Sequence, residues 1–151
     1  MHTNFVEVLP ELSPDGKYIA YMSTETGSFD IYVRPFPNVD VGRWQIATGG
    51  TATRQVWGRN GRELFFLDRT NALSVVSVDT KGTTFTSGNP SRLLETRYFG
   101  VPGPRPFDVS ADSERFVMIK DAAPTGDKES PAGLVVVERW FDELKARLAT
   151  R

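Results

Sequence analysis

SPDGKYIAYM (13–22), GRNGRELFFL (58–67) and SADSERFVMI (110–119) are the stretches that decide the fold. Each sets a four-residue turn in front of a run of Ile, Leu, Met, Val, Phe and Tyr. β-Branched and aromatic residues suit a pleated, half-buried surface. Asp-Gly and Asn-Gly suit a tight hairpin turn, because both central residues tolerate positive φ. Just before each turn stands an apolar residue: Leu12, Trp57 and Val109. A second strand follows each time, as DIYVR (30–34), LSVVS (73–77) and LVVVE (134–138). The first two units continue into a more polar strand, RWQIATGG (43–50) and PSRLLETR (90–97).

The turns begin at 13, 58 and 110, so the repeat starts lie 45 and 52 residues apart. Four short strands in each ~40–50-residue unit are the signature of a propeller blade. A sandwich of hairpins would not repeat turn and strands in the same order three times. We therefore expect an all-β fold: a partial β-propeller of about three four-stranded antiparallel blades, closed by a C-terminal α-helix. The blade units run over 9–50, 51–97 and 98–139 within a single domain, 1–151. WFDELKARLAT has helical spacing, with Trp140, Leu144 and Leu148 four apart, which predicts a helix over 140–149. PTGDKESPAG (124–133) reads as a loop within a hairpin. Trp44, Trp57 and Trp140 are expected to pack between blades.

Composition narrows the function. Eighteen Lys and Arg against 19 Asp and Glu give a net charge of -1, which argues against nucleic acid or an anionic membrane as partner. There is no cysteine, and the one histidine, His2, sits beside the terminus. These exclude disulfides, thiolate chemistry and His/Cys zinc sites, and no GxSxG elbow is present. No cofactor and no metal are expected. No run of ~18 apolar residues occurs, and MHTNFVEVLPEL lacks the regions of a signal peptide. The expectation is a cytoplasmic chain, or an extracytoplasmic one if it derives from a longer sensor.

SPDGKYIAYMSTETGSFDIYVRPFP resembles the Pro-Asp-Gly (PD40-type) repeats of the TolB-type, WD-like propellers. The order YVRPFP, WQIATGG, WGRNGRELFFLD, FDVSADSERFVMIK, VVERWFDELKARL is similar to the C-terminal blades of sensor propellers fused to bacterial eukaryotic-like Ser/Thr kinases. The resemblance runs from about Leu9 to Leu148. It implies the propeller scaffold and a sensing or binding role. The kinase domain, membrane span and further blades of those relatives have no counterpart here, and neither do the kinase motifs.

Three blades leave two sheet faces open, expected to be lined by Val, Ile, Phe and Tyr. A homodimer closing a six-blade ring would cover both. NFVEV (4–8) could then supply the missing fourth strand of the neighbour's third blade. An open monomer, or a fragment of a longer protein, would leave the ring unclosed. Glu11, Arg54, Gln55, Arg105 and Asp108 lie on or before innermost strands, as channel-lining candidates for a small polar or anionic ligand or a protein. Asp15, Asn60 and Asp112 fall in equivalent turns and are expected to cap backbone amides. The function read from the sequence is a non-catalytic, sensor-like binding module. A carboxylate-based hydrolase in the assembled channel stays open, as does a structural remnant of a longer sensor propeller. Substituting Glu11 or Asp108 would abolish hydrolysis and leave assembly intact.

Overall fold

The computed structural model describes residues 4–50, 55–80, 84–94, 106–120 and 133–137. Every described element is a strand. The first sheet runs β1 (Glu7–Leu12), β2 (Tyr18–Ser23), β3 (Asp30–Pro35), β4 (Trp44–Ala47) in spatial as in chain order. The second runs β5 (Val56–Trp57), β6 (Glu63–Leu67), β7 (Leu73–Asp79), with two stubs, β8 (Thr86–Ser87) and β9 (Ser91–Arg92), both paired to β7. The third runs β10 (Phe107–Val109), β11 (Phe116–Lys120), β12 (Gly133–Val137). All pairings are antiparallel.

These are three blades, each built outward from its innermost strand. Of the fourth strand expected at 90–97, the described residues show only the stub β9, with a second stub, β8, ahead of it; 95–97 lie outside the described residues. Gly88, Asn89 and Pro90 lie between the stubs; Pro90 has no N–H for the ladder, and a Cβ on Gly88 would come 2.7 Å from Ser77 Oγ. The helix expected at 140–149, Trp140 and most of the 124–133 loop lie outside the described residues.

The three repeat turns are chemically equivalent. Gly16, Gly61 and Ser113 donate their N–H to the carbonyl three residues back, at 2.8, 2.9 and 2.9 Å. Ser13, Gly58 and Ser110 donate to the carbonyls of Tyr18, Glu63 and Arg115. Asp15, Asn60 and Asp112 each accept the N–H two residues on, at 3.1, 2.8 and 3.0 Å. Positive φ falls only on the last turn residue: 70° at Gly16, 69° at Gly61 and 61° at Ser113. The turns are thus a type I bend followed by one left-handed residue, not the two-residue form that Asp-Gly and Asn-Gly suggest. Ser113 keeps the left-handed backbone without glycine, and its hydroxyl accepts the Arg59 N–H of the preceding blade at 2.8 Å.

Two of these carboxyls are held below the usual range. Burial pushes Asp15 up, but the Ser13 hydroxyl and the Lys17 N–H outweigh it. For Asp112 the Ser110 hydroxyl is the leading cause, followed by the Glu114 N–H. A lowered folded-state pKa gives stability that is present above the unfolded value and lost as pH falls through the folded one. Acid unfolding is therefore expected to draw on these turns below about pH 4. Asp15→Asn copies what Asn60 does in the second turn. It should stay within about 0.5 kcal/mol of wild type at pH 7 and lose less stability on acidification, as urea midpoints at pH 7 and pH 3.5 would show.

Strand alternation sends one face of each sheet into a seam. Tyr18, Ala20, Met22, Ile31, Val33 and Ile46 of the first blade meet Trp57, Leu64, Phe66, Val76, Val78 and Phe85 of the second. The other face of the second blade, with Val56, Phe65, Leu67, Leu73 and Val75, meets Phe107, Val109, Phe116 and Met118 of the third. Trp57 and Trp44 both pack at the first seam, as expected of blade-packing groups.

The two outward faces carry residue types expected of them, but unlike ones. On the first blade Tyr21 and Tyr32 stack at 5.8 Å, with the Arg34 and Arg43 guanidiniums over them at 5.8 and 5.4 Å. Arg34 Nε also donates to the Tyr21 hydroxyl at 2.8 Å, and Arg34 and Arg43 are ion-paired with Asp40 and Glu25, so this face is buried aromatic rings under paired arginines. On the third blade Val117 and Ile119 are 43% and 42% exposed. The segment 4–8 is not available for a neighbour's blade. Glu7 and Val8 already pair with Ser23 and Met22 in β1, and Val6 exchanges hydrogen bonds with Thr24.

Candidate functional site: the inner strands and the first blade junction

The innermost strands β1, β5 and β10 stand at the same end of their sheets, and β1 lies beside β5. β1 is irregular there. Two residues, Leu9 and Pro10, face one across the ladder, and Leu9 takes a φ of 56°. A bulge of this kind turns carbonyls out of the ladder. Gln55, fully buried, collects them: its Nε2 donates to Leu9 O at 2.7 Å and Ala20 O at 3.1 Å. Trp57 Nε1 donates to Glu11 O at 3.1 Å.

The channel candidates are distributed as follows. Gln55 is committed to the blade junction through both of its N–H groups. Glu11 is half-buried in β1, and its carbonyl anchors Trp57. Asp108 is half-exposed on β10, accepts the Val109 N–H at 2.7 Å and lies 4.0 Å from the Arg59 guanidinium. Arg54 and Arg105 lie outside the described residues. Among the described residues no group of three or more His, Cys, Asp or Glu is placed to hold a metal ion, and no helix is long and apolar enough to cross a membrane.

A cavity of about 470 Å³ opens at the other ends of the strands, away from the repeat turns, where the first blade meets the second. Ala47, Phe66 and Pro90 give it apolar walls; Thr48, Gly50, Asp68, Arg69, Thr70, Ser74, Ser91 and Arg92 give it polar ones. Asp68 organises the wall. It accepts the Thr70 N–H at 2.7 Å, the Thr70 hydroxyl at 2.6 Å, the Ala72 N–H at 3.2 Å and Arg92 Nε at 2.7 Å. Burial pushes its carboxyl up, but these donors outweigh it and hold the group below the usual range. Sequence reasoning sought ligand groups only beside the innermost strands and passed over this cavity. Its one legible signal was the DRTN turn (68–71), whose Asp and Asn types mark a tight bend.

No protein-family model and no curated protein sequence matches the chain. Solved structures do. An oligogalacturonate lyase from Vibrio parahaemolyticus superposes with a TM-score of 0.56 at 12% identity, over 83% of this chain and 34% of the lyase. A protein assigned as TolB from Agrobacterium tumefaciens gives a TM-score of 0.56 at 20% identity, over 92% of this chain and 48% of its own. The chain thus spans about a third to a half of the length of these structures. Identities this low carry the fold alone. The turn repeat, the three serial sheets and the two apolar seams agree with them: the fold is that of a TolB-type β-propeller, of which this chain carries three successive blades.

Proposed function

We propose that the chain is a non-catalytic binding module, a half-propeller that a second copy completes into a six-blade ring. The observation that carries this reading is the unlike chemistry of its two outward faces. The third blade presents Val117 and Ile119, and the first presents the arginine side chains of Arg34 and Arg43 over two buried tyrosine rings. In a two-fold ring each third blade meets the partner's first blade, so unlike faces meet twice. Aliphatic side chains pack well on arginine stems. The lengths of the matched structures, about twice that of this chain or somewhat more, support a need for further blades.

Light scattering coupled to size exclusion tests this. The expected mass is near twice the 16.8 kDa of one chain. Val117→Asp together with Ile119→Asp should give a folded monomer. A wild-type protein that stays monomeric at high concentration overturns ring closure.

A further inference from the structure

We infer that the cavity at the junction of the first two blades binds a small organic oxyanion, a phosphate or carboxylate on a short carbon skeleton. The site lies wholly within one chain and does not depend on ring closure.

Two guanidiniums line it. Arg92 is fixed by the Nε–Asp68 bond, which leaves its two terminal nitrogens for another acceptor. A planar fork held in place loses little entropy when it takes an oxyanion. Arg69 has no hydrogen-bond or ion-pair partner among the described residues. It lies along Gly49 and Gly50, with Nη1 4.0 Å from the Cβ position of Gly49 and Cγ 3.9 Å from that of Gly50. Both glycines take positive φ, 82° and 83°, so the chain here is open to a close approach that side chains would crowd.

The charges do not cancel. Asp68 balances Arg92 and is already saturated by four donors, whereas Arg69 adds a positive charge that nothing described offsets. The hydroxyls of Thr48, Ser74 and Ser91 line the same cavity and suit the remaining oxygen lone pairs. At about 470 Å³ the space exceeds what a bare phosphate needs, and Phe66, Ala47 and Pro90 offer apolar contact to a carbon skeleton. A cation is disfavoured by the two guanidiniums, and the one carboxylate present is occupied.

The test is a titration of ¹⁵N-labelled protein with inorganic phosphate, phenyl phosphate and benzoate, in a buffer free of other multivalent anions. Saturable shifts are expected at the amides of Gly50, Thr70 and Arg92. Phenyl phosphate should bind more tightly than inorganic phosphate if the apolar walls contribute. The ranking of phenyl phosphate against benzoate tells phosphate from carboxylate preference. Arg69→Gln should weaken the best probe about tenfold, with Arg69→Lys between the two. Arg59→Gln, beside Asp108 and outside the cavity, should leave binding unchanged. Melting curves of the variants establish that they are folded. Absence of saturable shifts with all three probes up to tens of millimolar overturns the inference, as does an Arg69→Gln protein that binds as tightly as wild type.

Discussion

Phe65→Ala is expected to destabilise the protein by about 3–5 kcal/mol, enough to remove a large fraction of the stability of a domain this size. Phe65 is fully buried and meets the Phe116 ring edge-on, with centroids 4.9 Å apart and planes at 77°. This pair spans the seam between the second and third blades. Leu67, Leu73, Leu93, Leu94, Phe107 and Met118 surround it, none more than 8% exposed. Truncation leaves a cavity that two packed sheets cannot close by a side-chain shift, and forfeits the edge-to-face term of about 0.5–1.5 kcal/mol. Phe65→Leu keeps most of the volume and should cost less than half as much. Urea unfolding reads the loss, and an unchanged m-value shows that the folded state keeps its compactness. Hydrogen exchange should then show faster opening in β10 and β11 than in β2 and β3, because the first seam is untouched. A cost below about 1 kcal/mol, within the range of ordinary surface substitutions, would mean that the second seam does not depend on this pair.

The third blade is the one that most needs that seam. Among the described residues it has three strands, and β10 is only three residues long. Its Phe116 and Met118 are fully buried, while Val117 and Ile119 on the same strand are not. An open propeller end therefore gains its apolar burial from one side. This ties stability to assembly: a partner on Val117 and Ile119 should raise the third blade's protection, and Phe65→Ala should weaken ring formation together with folding.

Much of this fold was legible because it repeats. Short apolar runs after SPDG, GRNG and SADS placed β2, β6 and β11 to within a residue of where they stand. The amide-capping roles of Asp15, Asn60 and Asp112 followed from their residue types at equivalent positions of the repeated turn. Less local features were hidden. The break between β8 and β9 depends on how Gly88 sits against Ser77, which no periodicity records. NFVEV carries a strand pattern, but a pattern does not name the strand's partner, and β1 keeps Glu7 and Val8 for its own blade. The cavity beside Arg69 joins residues 66–74 and 90–92, which pair within the second blade, to 47–50, which reach them only when the blades stack. Gln55 was legible as an innermost-strand residue but not as a buried one. Its burial follows from the bulge at Leu9, whose carbonyl needs a donor that β2 does not provide.

That bulge is the basis of the second large effect. Gln55→Glu preserves volume and shape but is expected to cost about 3–5 kcal/mol at pH 7. A carboxylate has no N–H for Leu9 O or Ala20 O, and it would lie fully buried at hydrogen-bond distance from both oxygens. Gln55→Leu separates the two contributions. It also leaves Leu9 O without its donor, yet introduces no charge and removes a buried amide oxygen that has no partner, so about 1–3 kcal/mol is expected. The pH dependence fixes the sign. Burial among carbonyls raises the folded-state pKa of the new carboxyl above its unfolded value of about 4.3. The folded state then binds more protons, and the cost relative to wild type grows as pH rises from about 4 and levels off above the folded pKa. Wild-type turn carboxyls such as Asp15 and Asp68 act in the opposite sense, so the quantity to plot is the variant-minus-wild-type difference in unfolding free energy between pH 4 and pH 8. A flat difference would show that the carboxyl has escaped to solvent and that the blade junction opens at Gln55. A difference that falls as pH rises would show that the carboxyl stays buried at the junction of the first two blades.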